Sequence, residues 1–249
     1  MKIGASTLAC FKEDMKVNLD FFEENKIEYV ELLYEFPSWS LDEDLLNSYN
    51  LKYTIHSPIS DINIASLNPS IRNGSIKEIF NSFQIANELD IDTVVVHPGN
   101  IPFLAFDFQD KIDEINRTSM TEIAEFGLDL GVNAVFENMP NIKGFTYKKL
   151  EDLKQFLIEN DFKMCLDTGH ANTMNYSPEE MYLPIVKHIH LNDNFDENDD
   201  HLALGEGNID LKSIIKNYES NNYDGIYVIE VNNKESILKS LNYLKALKV

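Results

Sequence analysis

The sequence predicts a closed (β/α)8 barrel, and three observations predict it. Short β-branched runs alternate with longer amphipathic runs eight times within 249 residues, the usual length for that architecture. Strands that alternate with helices at this spacing pair in parallel through right-handed crossovers. Five of the six histidines, with several carboxylates, stand at or just past the C-terminal end of a strand run, the rim where such barrels carry their chemistry. A doubly wound open sheet is the alternative, but it would not gather residues of the third to eighth strands at one point.

The elements follow in order. KIGAST (2–7) reads as the first strand and precedes a helical pattern over Met15–Asn25. YVELLY (29–34) precedes Leu41–Ser48. KYTIHS (52–57) carries His56 and leads to Ile71–Leu89, which opens after Asn68-Pro69. TVVVHP (93–98) carries His97 and is followed by Phe108–Leu130, and NAVFEN (133–138) carries Glu137 and is followed by Tyr147–Asn160. KMCLDT (163–168) carries Asp167 and precedes a short helix near Ser177–Tyr182. VKHIHLN (186–192) carries His190 before Leu211–Ser220, and GIYVIEV (225–231) carries Glu230 before Lys234–Leu247. Side chains alternate faces along a strand. His190 therefore points inward with His188, Glu230 with Val228, Asp167 with Cys165 and His56 with Thr54. Each proposed strand ligand is the last inward residue before its loop. No linker or low-complexity tract interrupts the pattern, so residues 1–249 read as one domain.

Composition narrows the function classes. No run of 18 apolar residues exists to span a membrane, and MKIGASTLAC lacks the apolar core of a secretory signal. Cys10 and Cys165 are far apart and outside any C-x-x-C spacing. The expectation is a reduced, cytoplasmic protein without a cysteine metal site. Twenty-one basic against 42 acidic residues give a formal charge of −21, and Arg72 and Arg117 are the only arginines. That balance weighs against a nucleic-acid partner, which needs Lys and Arg on its phosphates. Its plain meaning is a soluble, self-repelling surface.

Nine side chains share the rim address: His56, His97, Glu137, Asp167, His170, His190, Asp199, His201 and Glu230. Imidazole and carboxylate together suit zinc, manganese, iron, magnesium or cobalt rather than thiolate-seeking ions. One to three ions per chain are expected. Glu137, Asp167, His190 and Glu230 can close around one cation, His56 and His97 can complete a second that shares Glu137, and His170 can join Asp199 and His201 on a third. A lone inward histidine is usually a core residue, and His188, one layer below, takes that reading. Arg72 is a candidate for a substrate phosphate or carboxylate, and Trp39, with Phe36, for an apolar wall over a sugar ring. Glu31 points inward and is placed to orient a ligand or substrate hydroxyl. Gly205-Glu206-Gly207 reads as a loop-shaping element, with Glu206 outside the chemistry. Asp193–Asp200 reads as a solvated acidic loop.

The blocks HPGN, FENMP, LDTGHA, HLND and HLALGEGNI resemble the xylose isomerase-like TIM barrels, over nearly the whole chain from GASTLA onward. That superfamily holds sugar isomerases and epimerases together with apurinic endonucleases of the endonuclease IV type. The resemblance places Glu137, Asp167, His190 and Glu230 on the metal ligands of the isomerase and epimerase branch, with Glu137 and Glu230 as an acid/base pair. It also places all nine residues on the ligands of the nuclease branch's trinuclear zinc site. Two departures favour the sugar branch. The chain opens Gly4-Ala5-Ser6-Thr7-Leu8 where nucleases have a G-A-H-V-S type motif, and HSPISDINIASLNPSIR lacks the pattern of DNA-probing loops. The resulting expectation is a divalent-metal-dependent isomerase or epimerase of a small sugar, sugar phosphate or related polyol, working through a metal-stabilised enediolate. The alternative is an endonuclease IV-like hydrolase of abasic DNA with three zinc ions. DNA is a partner only under that alternative.

Overall fold

Eight parallel strands hydrogen-bond in chain order, and the first closes onto the last through Lys2–Ile226 to Ala5–Ile229. A computed structural model describes residues 1–39 and 41–247. The strands are β1 (Lys2–Ser6), β2 (Tyr29–Leu33), β3 (Lys52–His56), β4 (Thr93–Val96), β5 (Asn133–Glu137), β6 (Lys163–Asp167), β7 (Val186–Leu191) and β8 (Ile226–Ile229). The helices are α1 (Met15–Glu24), α2 (Glu43–Asn47), α3 (Pro69–Glu88), α4 (Gln109–Leu130), α5 (Leu150–Glu159), α6 (Thr168–Asn172), α7 (Leu211–Ser220) and α8 (Lys234–Leu247). The closed (β/α)8 barrel expected from the alternation is the fold. Among the described residues, no helix is long and apolar enough to cross a membrane.

Outward strand residues such as Val30, Ile55, Val94, Phe136, Leu166 and Ile189 are fully covered by the apolar faces of the helices. Inside the barrel a smaller apolar layer of Val95, Val135 and Cys165 lies beneath the rim. Period-two alternation therefore does what the pattern required: one parity packs under helices, and the other fills the barrel and ends in chemistry. Cys10 and Cys165 are buried and free.

The sixth unit differs from expectation. No helix covers Ser177–Tyr182, which is a set of turns, and α6 begins at once after β6. Ser177 and Glu180 do exchange the reciprocal bonds of a helix start, Ser177 N–H to Glu180 at 2.8 Å and Glu180 N–H to Ser177 at 3.4 Å. The turn cannot propagate, because Pro184 biases Leu183 towards extended backbone just before β7. The real start signal was Asp167, whose carboxylate accepts the His170 N–H at 2.6 Å and caps α6. Smaller shifts have similar causes. Pro69 begins α3 with Asn68 capping Ser70 N–H at 3.0 Å, and Tyr147, at φ 48°, lies outside α5.

Candidate metal centre

All nine rim residues converge. Glu137 ends β5 and receives His56 Nε2 at 3.3 Å and His97 Nε2 at 3.0 Å on one oxygen. Its other oxygen lies 3.2 Å from His190 Nδ1, which is also 3.2 Å from Glu230 Oε2 and 3.9 Å from Asp167 Oδ2. His170 Nε2 and His201 Nε2 flank Asp199 Oδ2 at 3.1 and 3.3 Å. Three groups thus bring their nitrogen and oxygen donors within 4.8 Å of one another: His56–His97–Glu137, Glu137–Asp167–His190–Glu230 and His170–Asp199–His201. Glu137 belongs to two of them.

Backbone carbonyls fix the rings. His56 Nδ1 donates to Ser57 O at 2.8 Å, His170 Nδ1 to Asn138 O at 2.7 Å and His201 Nδ1 to Glu230 O at 3.0 Å. A carbonyl only accepts, so each Nδ1 carries hydrogen, and Nε2 is the nitrogen that faces the centre. His201 does this from a left-handed backbone, φ 45°. Asp167 is held from both sides, by His170 N–H and by Asn192 Nδ2 at 2.8 Å. Asn138 exchanges two bonds with the Asp167 backbone. Buried Asp193 accepts N–H groups of Asn194, Gly205 and Ile209, so it organises the loop between β7 and α7. Nothing in the sequence signals the roles of Asn138 and Asn192, although they stand in ENMP and HLND, and the loop expected to be solvated begins with Asp193 and Asn194, which are fully buried.

Burial and charge compete here. Burial would raise the Glu137 carboxyl, but the imidazoles of His190 and His97 outweigh it and hold the group well below its usual range. Burial does prevail at Asp167, pushing it up to about 6. Asp199 resists burial through hydrogen bonds from His170 and His201 and lies below its usual value. Burial opposes charge on His201 as well, yet the Asp199 bond and the Glu230 charge raise it to about 10. Desolvation instead lowers His97. Four carboxylates packed together need cations, and buried Asp199 Oδ1 has no hydrogen-bond partner at all. The oxygen and nitrogen donors fit a divalent ion of the zinc, manganese or cobalt kind.

A cavity of about 290 Å³ opens onto this cluster and is lined by His56, His97, Glu137, His170, Asp199, His201 and Glu230. Its walls are apolar, with Leu8, Ile62, Met139, Ile142 and Phe145 among them. No lysine or arginine lines it among the described residues. Arg72 and Trp39 are not part of the lining. The Arg72 guanidinium donates to Ser66 O at 2.9 Å, and Trp39 packs edge-on against Tyr34, with centroids 5.7 Å apart. Glu206 lies outside the cavity and pairs with Lys239 at 2.9 Å.

The chain has clear relatives. The pattern of the xylose isomerase-like TIM barrel matches residues 19–247. An uncharacterized protein of Methanocaldococcus jannaschii is 31% identical over 260 aligned positions, covering 98% of this chain and 88% of its own. A crystal structure of a D-tagatose 3-epimerase-like protein is 30% identical, with a TM-score of 0.90 over 99% of this chain and 97% of that one. A probable endonuclease 4 of Metamycoplasma arthritidis is 26% identical over 228 positions, covering 82% of this chain and 75% of its own.

Proposed function

Because the chain belongs to the xylose isomerase-like TIM barrel family, we propose that it is a divalent-metal-dependent isomerase or epimerase of a small sugar or a related polyol. The observation that carries this reading is the pair Glu137 and Glu230. Both line the cavity, and both reach the same His190 nitrogen at 3.2 Å, from β5 and from just past β8. Two carboxylates at one cavity can move a proton on and off carbon. The name of the 30% identical structure, a tagatose 3-epimerase-like protein, supports a ketose as substrate.

Glu137, Asp167, His190 and Glu230 would hold the ion, which would polarise a substrate carbonyl and its neighbouring hydroxyl. Glu137 and Glu230 are both held below their usual range, against burial, by His190 and by His97 or His201. Either is therefore ionised and ready to take a proton from the carbon beside the carbonyl. The electron pair of that C–H bond moves towards the carbonyl oxygen; the other glutamate, having taken a proton from solvent, returns it to carbon, and the first releases its proton to solvent. His97, at the cavity wall, is placed to hydrogen-bond a substrate hydroxyl. Ile62, Met139 and Phe145 exclude bulk water from the reacting atoms.

The test is incubation of metal-loaded protein with a panel of ketoses, aldoses and their phosphates in deuterated water. Deuterium at the carbon beside the carbonyl is the expected result. One observation favours a second reading, hydrolysis at abasic DNA: the His170–Asp199–His201 group completes a third possible ion site. The acidic surface and the absence of basic side chains from the described cavity wall oppose it. Incision of an abasic duplex at moderate salt, with no deuterium in any sugar, would reverse the order of the two.

A further inference from the structure

His190 is turned the opposite way from the other oriented histidines of the cluster. His56, His170 and His201 bind a carbonyl through Nδ1 and present Nε2. His190 presents Nδ1 to Glu137 and Glu230, while its Nε2 faces down into the barrel. There it meets Glu31 Oε1 of β2 at 3.0 Å, off the in-line hydrogen-bond direction, and neither atom has another partner. The other Glu31 oxygen accepts from His188 Nε2 at 2.8 Å and from Thr54 Oγ1 at 3.3 Å. His188 Nδ1 is buried without a partner, so that ring carries its proton on Nε2, against Glu31.

This assembly is out of place in a barrel floor. Glu31 and His188 are 0% and 1% exposed, and neither lines the cavity. The same interior is filled elsewhere by Val95 and Val135, and a buried ion pair adds little stability over apolar packing. Its geometry has a directional result instead. His190 Nδ1 lies within hydrogen-bond distance of Glu137 Oε1; with an ion among Glu137, Asp167 and Glu230, the carboxylate below Nε2 would keep the ring hydrogen underneath and leave Nδ1 to the ion.

We propose that Glu31 and His188 are positioning residues that select Nδ1 of His190 as the metal-facing nitrogen and make that ring more basic. Glu31 acts on His190 directly, and His188 acts by fixing the Glu31 carboxylate. The proposal rests on the reading of the cluster as a metal centre. A carboxylate behind a ligating imidazole strengthens the ligand, and its loss weakens metal affinity roughly ten- to hundredfold.

The experiment measures zinc affinity by competition with a chromophoric chelator and records the visible spectrum of the cobalt-loaded protein. It compares wild type with Glu31→Gln, His188→Leu and His188→Gln, each shown to be folded without metal by circular dichroism. Glu31→Gln and His188→Leu should each lose about ten- to hundredfold in affinity and shift the cobalt bands at saturation. His188→Gln, which keeps an N–H donor near the Nε2 position, should stay close to wild type in both. The double variant Glu31→Gln/His188→Leu should be no weaker than its weaker parent, because both act through one ring. Unchanged affinity and cobalt bands in folded Glu31→Gln overturn the positioning role, and should that variant not fold, the same result in His188→Leu does so. A wild type that takes up neither metal overturns the metal-centre reading and this inference together.

Discussion

Glu137 is where the residue-scale argument concentrates, since two histidines share one of its oxygens and a third lies by the other. Glu137→Gln replaces an anionic ligand and base by an amide that can do neither job. Turnover should fall at least about a hundredfold, with weaker metal uptake measured by chelator competition. Glu206→Gln removes only a surface pair with Lys239 and should change turnover by less than about twofold. Near-normal turnover in Glu137→Gln would remove that residue from the mechanism. Six of the nine residues were readable because strand parity and the position of each strand end follow from local pattern; His170, Asp199 and His201 lie on α6 and the loop after β7 and were readable only from their spacing to one another and to Asp167. Arg72 and Trp39 were harder to place, because a long side chain in a helix's first turn or on a loop can reach any nearby carbonyl or ring, and their partners, Ser66 and Tyr34, leave no mark in the pattern. Asn138 and Asn192 were invisible for a related reason: the last residue of a strand run gives no sign of which backbone or carboxylate its amide will reach.

Among the elements, α6 couples packing to the centre most directly. Its first residues follow Asp167 without a loop, and Gly169 packs so tightly on Asn192 and Asn194 that an added Cβ would collide with the Asn192 side chain. Asn192 in turn holds Asp167. Gly169→Ala should therefore lower the unfolding midpoint, by the equivalent of about 1–3 kcal/mol for an overpacked site, and should weaken metal uptake as well. A variant with lowered stability but normal metal affinity would show that Asn192 is dispensable for Asp167. The strand runs and most helices were legible because eight amphipathic repeats leave little ambiguity in period. The misplaced sixth helix shows the limit, since the Ser177–Glu180 bonds imitate a start that Pro184 then cuts short.

At the scale of the whole molecule, the barrel pulls many ionisable groups into one low-dielectric mouth, so stability and pH are linked there. His201 rises from its ordinary 6.5 to about 10 in the folded chain. A raised histidine stabilises the fold fully below the unfolded value and ceases to do so as pH climbs through the folded one. Protein stripped of metal should accordingly lose thermal stability between about pH 7 and 10, on the order of a few kcal/mol. His201→Gln should flatten that slope in a calorimetric series, and a slope unchanged by the substitution would remove His201 as its source. One consequence of closure reaches further. Glu31 and His56 belong to the first four strands, whereas His188, His190 and Asp167 belong to the last four and Glu230 follows β8, and Glu31 meets His188 across 157 positions of chain. The second half holds Glu137, Asp167, His190 and Glu230, but the Glu31 carboxylate behind His190 and the His56–His97 pair beside Glu137 come from the first. Cut at the turn after α4, beside Gly131, the C-terminal piece would keep those four ligands but lose Glu31 and the two histidines, and the affinity of the whole would return only as the pieces rejoined. The ion's affinity is then a gauge of assembly, readable during refolding as a signal that the last gap in the wall has shut.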